Sequence, residues 1–131
     1  MKIFLKTEDE IQLMRSANQL VGRTLAELYK FVRPGITTLQ LDRIAEEFIR
    51  DNGAVPTFKN FPNPFGKPFP ASICTSVNNV VVHGIPDNLT ELRDGDVISI
   101  DCGTLFAGFN GDSCYTFRVG EVRPEVEQLL R

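Results

Sequence analysis

The sequence of 131 residues predicts an α+β fold, a mostly antiparallel sheet with two amphipathic helices packed on one face. Three observations carry this expectation. Apolar residues recur at helical spacing up to Ile49, strand-like stretches take over from Ala71, and two alternating runs between Val97 and Phe117 are separated by a segment short enough for a hairpin.

Thr7 followed by Glu10 is a capping-box signature, and Ile11, Met14, Val21, Leu25, Leu28 and Val32 then mark one face of a long first helix ending at Arg33-Pro34-Gly35. A second helix starts near Thr37, with Gln40 three residues on. It carries Leu41, Ile44, Ala45, Phe48 and Ile49 on one side and stops at Asn52-Gly53. Between residues 54 and 70, Pro56, Pro62, Pro64, Pro68 and Pro70 interleave with Phe58, Phe61, Phe65 and Phe69. Prolines remove backbone donors and aromatics resist exposure, so an ordered loop is expected, either walling a pocket or stapled over the sheet edge. Strands follow at Ala71 to Asn78 and Val80 to His83, before a turn at Gly84 to Asn88. Pro124 suits the first turn of a short closing helix bearing Val126, Leu129 and Leu130.

Composition bounds the function. The length and a hydrophobic content of 42% suit a single domain over residues 1–131. A net charge of −3 and a pI near 5.1 give no basic footprint, and no nucleic-acid motif is present. The apolar run Ile3-Phe4-Leu5 is far too short for a signal-peptide core, and nothing approaches a membrane span, so the sequence reads as cytoplasmic. Cys74, Cys102 and Cys114 cannot all pair and lack C-x-x-C spacing. They read as free buried thiols, with Cys102 and Cys114 the nearest to cross-strand neighbours.

The chemistry concentrates in Asp101 and Asp112. If the hairpin turn centres between Phe106 and Ala107, the two carboxylates lie directly opposite each other on one face. Like charges so placed repel unless a cation is shared between them. Ile98, Ile100 and Cys102 make the other face apolar, while Ser99 and Gly103 leave room beside Asp101. His83, the only histidine, sits where a hydrophobic stretch runs into a Gly-Ile-Pro turn and is the best candidate for proton handling.

The runs CTSVNNVVVHGIPD and LRDGDVISIDCGTLFAGFNGDSCYTFRVG, with Arg33-Pro34-Gly35-Ile36-Thr37 and Leu41-Asp42, resemble the amino-terminal half of a type I methionine aminopeptidase. The resemblance implies half of a pita-bread fold and a metal-dependent enzyme that removes the initiator methionine from nascent polypeptides, with the ribosome as a further site of contact. It implies two divalent ions (Co, Mn, Fe or Zn), with Asp101 and Asp112 as two of five metal ligands and Asp112 bridging the ions. His83 matches the histidine that hydrogen-bonds the substrate near its scissile amide, and Cys74 and Phe69 match the pocket for the methionine side chain. The proline-aromatic loop is longer than the family's usual form. The other three ligands belong to a second, pseudo-symmetric half expected after residue 131. Without it the sequence is expected to bind metal weakly and to be inactive alone, and the alternative is a non-catalytic half-module that binds a protein partner or itself. Proline dipeptidases and creatinase-like enzymes share the architecture, and the HGIP segment favours the methionine enzyme.

Overall fold

The computed structural model describes residues 3–64 and 66–131; Phe65, one of the interleaved aromatics, lies outside the described residues. Helix α1 spans Glu8–Tyr29 and helix α2 spans Thr38–Asp51. Both open with the expected reciprocal caps, Thr7 with Glu10 and Thr37 with Gln40, which satisfy amide groups that the first turn leaves without partners. α1 ends earlier than its apolar spacing predicts. The Lys30 and Phe31 amides bond back three residues, to the Glu27 and Leu28 carbonyls, tightening the last turn, and Pro34 disfavours helix at Arg33. Val32 and Phe31 still pack against the core from outside the helix.

The sheet contains β1 (Val55–Pro56), β2 (Ile73–Val77), β3 (Val97–Phe106) and β4 (Phe109–Arg118), and a short helix α3 (Pro124–Leu129) follows. β3 is its axis. β4 pairs antiparallel with β3 from Val97 to Phe106, so β2 and β1 share the other edge of β3 in succession. Side chains alternate across the strands. Ile98, Ile100, Cys102 and Thr104 of β3, Ile73 of β2 and Phe117 of β4 point into a core completed by Leu20, Val21 and Leu28 of α1 and Leu41, Ala45 and Ile49 of α2. The two helices thus cover one face. The opposite face presents Ser99, Asp101, Gly103, Cys74, Cys114 and Asp112.

Val80 to His83, expected as a strand, is not one: Val81 and Val82 are 86% and 63% exposed. Asn78 takes a left-handed φ of 51°, and the Val80 amide closes a turn onto the Val77 carbonyl, so the chain leaves the sheet after β2. The Asn78 side chain holds that exit by accepting from the Val97 amide and donating to Asp96.

α1 is seated on the hairpin at one point. The Thr104 hydroxyl donates to the Ala17 carbonyl at 3.1 Å, and the Asp112 amide donates to the Asn18 side chain at 3.2 Å. Gly111 allows this approach, because a Cβ there would lie 2.6 Å from the Ala17 backbone. Gly111→Ala is expected to destabilise the chain by about 1–3 kcal/mol through this clash. Equilibrium urea unfolding checks it, and an unchanged midpoint would contradict it.

Candidate functional site

Phe106 pairs with Phe109, leaving Ala107 and Gly108 as a two-residue turn with φ of 50° and 83°. Positive φ at both central residues is the type I′ pattern, whose twist matches that of the flanking strands. The turn therefore centres one residue later than expected, between Ala107 and Gly108. Asp101 faces Cys114 and Asp112 faces Gly103, so the aspartates are not directly opposed. The register differs by two, an even number, and both carboxylates keep the same face. They are diagonal neighbours, a relation that typically separates Cα atoms by roughly 7 to 8 Å.

Half-buried Asp101 has its carboxyl pushed above the usual range, first by lost hydration, then by the charge of Asp112 and a hydrogen bond with it. His83 opposes that shift through its charge, which puts the imidazole within electrostatic reach of Asp101. Gly103 lies opposite Asp112 and carries no side chain of its own beside the carboxylates.

The cysteines are arranged differently from expectation. Cys102 lies opposite Ser113 on the core face and Cys114 opposite Asp101 on the other, so they are not cross-strand neighbours. Cys74, Asp101 and Cys114 instead form a row across β2, β3 and β4. All three cysteines are free, and Cys114 is exposed rather than buried. Burial, followed by the negative charge of Asp101, pushes the Cys74 thiol up to about 11 and the Cys102 thiol to about 12.

His83 is exposed and holds a left-handed φ of 57°, a strained conformation for a residue with a Cβ. Gly84 explains its placement. The Gly84 carbonyl accepts from the Thr75 amide at 2.8 Å and its amide donates to the Ser76 hydroxyl at 3.2 Å, which lays the backbone against the outer edge of β2. A Cβ at Gly84 would lie 2.1 Å from the Thr75 carbonyl oxygen. Phe69 sits in the proline-rich loop, exchanging backbone hydrogen bonds with Asn60 and Phe61 of the same loop.

Sequence reasoning missed three sets of contacts around the aspartates. Thr57 and Phe58 lie over Gly103, where a Cβ would meet the Thr57 hydroxyl at 2.3 Å and the Phe58 ring at 2.7 Å. Asn18 takes up the amide of Asp112, and Cys114 stands beside Asp101. Glycine within an alternating strand was the available signal for the first, since it marks a close approach. The third needed the correct turn centre.

Among the described residues no group of three or more His, Cys, Asp or Glu side chains is gathered to hold a metal ion. The aspartate pair nevertheless fits part of a cation site. Two oxygen donors share one open face, and the charge of Asp112 disfavours ionisation of Asp101, a cost that a bound cation removes.

The family profile described as "Metallopeptidase family M24" matches residues 12–131. This chain belongs to that family. A methionine aminopeptidase of Clostridium perfringens is 54% identical over 98% of the chain, which spans 49% of that relative. The crystal structure of the methionine aminopeptidase from Rickettsia prowazekii superposes with a TM-score of 0.89 at 36% identity, over 98% of this chain and 50% of that one. The prolidase from Pyrococcus furiosus, at 20% identity, a TM-score of 0.78 and coverage of 95% and 34%, shares the fold alone. The expected pita-bread half-fold is therefore present, and this M24 chain spans about half the length of the curated relatives it matches. No helix among the described residues is long and apolar enough to cross a membrane.

The raised carboxyl of Asp101 gives a pH-dependent prediction. An acid whose folded pKa exceeds its unfolded value contributes stability below the unfolded pKa and loses it as pH rises through the folded pKa. In metal-free buffer, Asp112→Asn is expected to stabilise the protein near neutral pH and to have little effect near pH 3, where the raised carboxyl of Asp101 is protonated. Denaturant unfolding at the two pH values checks this. Equal stabilisation at both would contradict it.

Proposed function

We propose that residues 1–131 supply the first two metal ligands and part of the substrate pocket of a methionine aminopeptidase. The observation that carries this reading is the aspartate pair on the open face of β3 and β4, in a chain so close in sequence to such an enzyme. Asp101 and Asp112 act as ligands, with Asp112 the bridging one. His83 donates to or accepts from the substrate near the scissile amide, and Cys74 and Phe69 contribute apolar surface to the methionine side-chain pocket. Divalent ions (Co, Mn, Fe or Zn), when bound, would supply Lewis acidity and acidify water. The protein substrates are the amino termini of nascent polypeptides, met at the ribosome in the cytoplasm.

Two carboxylates bind a divalent ion weakly without further donors. Residues 1–131 alone are therefore proposed to release little or no methionine from a Met-Ala-Ser peptide in the presence of Co²⁺ or Mn²⁺. Supplying the missing donors, by joining these residues to the remaining half of a close relative, is expected to give activity that Asp112→Asn abolishes. Robust cleavage by residues 1–131 alone would overturn the assignment of an incomplete site. An active hybrid insensitive to Asp112→Asn would overturn the ligand role.

One observation favours a second reading, in which the chain associates with itself or another protein. A groove of about 620 Å³ lies between α1, β4 and α3, lined partly by Leu25, Tyr29, Tyr115, Phe117 and Leu130. Tyr29 and Tyr115 are 63% and 56% exposed. Sedimentation velocity across a wide concentration range tests this: self-association raises the sedimentation coefficient with concentration, and a constant monomer value excludes it.

A further inference from the structure

The proline-rich segment between β1 and β2 is attached to the body of the protein at both ends by the same helix. At its far end, the Asp42 carboxylate of α2 accepts from the backbone amides of Ser72 at 2.8 Å and Ile73 at 3.0 Å. At its near end, Glu46, one helical turn further along α2, pairs with Lys59 at 2.5 Å while also holding Arg50. Asp42 is 5% exposed, so its carboxylate is kept in the interior against the cost of lost hydration. Within the segment the Phe61 amide bonds to the Phe58 carbonyl at 2.9 Å and the Gly66 amide to the Asn63 carbonyl at 3.3 Å. Pro62, Pro64, Pro68 and Pro70 donate no backbone hydrogen bonds, and its two ends are tied to each other by the Asn60 amide on the Phe69 carbonyl and the Phe69 amide on the Phe61 carbonyl. Its start rests on the site face, where the Thr57 amide bonds to the Gly103 carbonyl at 3.1 Å and Phe58 fills the space above Gly103. Its end leads directly into Cys74.

We propose that Asp42 and Glu46 form a two-point clamp that holds the described residues of this segment, 57–64 and 66–72, in place beside the aspartate face, and that this clamp sets access to Cys74. Both are positioning residues, distant in role from the reacting atoms. The inference rests on the reading of this face as the substrate-bearing one, and it adds to it the device that holds the pocket wall in place. An acidic residue serving only as a cap for β2 would affect the Ser72 and Ile73 amides and nothing beyond them. A clamp couples both ends, so loosening either one should weaken the pairing of Asn60 and Phe61 with Phe69 and raise the reactivity of Cys74.

The test is the alkylation rate of Cys74 by N-ethylmaleimide, read by mass spectrometry in a Cys114→Ser background, with Cys102 as the buried internal control. Amide hydrogen exchange of Asn60, Phe61 and Phe69 is followed in parallel. Asp42→Ala is expected to raise Cys74 alkylation and loop exchange about tenfold, the scale of one lost charge-assisted hydrogen bond. Glu46→Ala and Lys59→Ala, whose pair is partly exposed, are expected to raise both by about two- to fivefold. Asp42→Asn keeps an acceptor oxygen and should stay near the unsubstituted rate. The surface variants keep the test decisive should Asp42→Ala fail to fold. Unchanged Cys74 alkylation and loop exchange in Glu46→Ala and Lys59→Ala would overturn the clamp while leaving the metal assignment untouched; loss of metal binding in Asp112→Asn would not bear on the clamp.

Discussion

The site depends on the parity of one hairpin. Because side chains alternate along a strand, the two-residue turn at Ala107-Gly108 decides which residues of β4 share a face with Asp101. With that turn, Asp112 and Cys114 join Asp101 on the open face while Phe117 and Gly111 join Ile98 and Thr104 on the helical face. A turn one residue longer or shorter would send β4's carboxylate into the core. The seat of α1 reinforces the choice, since Gly111 admits the helix backbone only if it points inward, and Asn18 then meets the amide of Asp112. Fold and site are fixed by the same register.

Much of the fold was legible because local chemistry and global arrangement agree. Thr7 with Glu10 and Thr37 with Gln40 mark helix starts that need no tertiary information, and Ile98, Ile100 and Cys102 declare the buried face of β3 through simple alternation. Val80 to Val82 misled for a physical reason. Three β-branched residues favour a strand, but both edges of β3 were already occupied and left-handed Asn78 turned the chain away, so propensity lost to topology. The aspartate pair was found by counting from a misplaced turn centre. It kept its face because moving the turn centre by one residue shifts the register by two, whereas Cys102 and Cys114 fall on opposite faces in either register. Contacts distant in sequence, such as Asp42 with Ser72 or Phe58 over Gly103, left no periodic trace at all.

Glycines do similar work around the aspartates. Gly103 lets Thr57 and Phe58 lie flat on β3, and Gly84 lets the segment bearing His83 run flush against β2. At Gly84 the missing Cβ lets two backbones meet, and at Gly103 it makes room for the Thr57 hydroxyl and the Phe58 ring. Together they build a shallow face with Asp101 and Asp112 at its centre, His83 approaching from the β2 side and the proline-rich wall rising over Gly103. The electrostatics of that face are unbalanced. Two carboxylates repel, and the adjoining Cys74 thiol is held neutral by burial and by their charge. Membership of the M24 family, described as metallopeptidases, is what motivates the proposed cation role for this imbalance, in a chain spanning about half the length of its relatives.

The central claim is that a divalent cation is drawn to this face by the paired aspartates rather than by acidic residues elsewhere. Paramagnetic broadening of the amide resonances by substoichiometric Mn²⁺ locates such an ion directly. Broadening is expected to centre on Asp101, Gly103, Asp112 and Cys114 and to be absent in Asp112→Asn. Broadening centred instead on the acidic first turn of α1, Glu8 to Glu10, or on Asp94 and Asp96, and indifferent to that substitution, would contradict it.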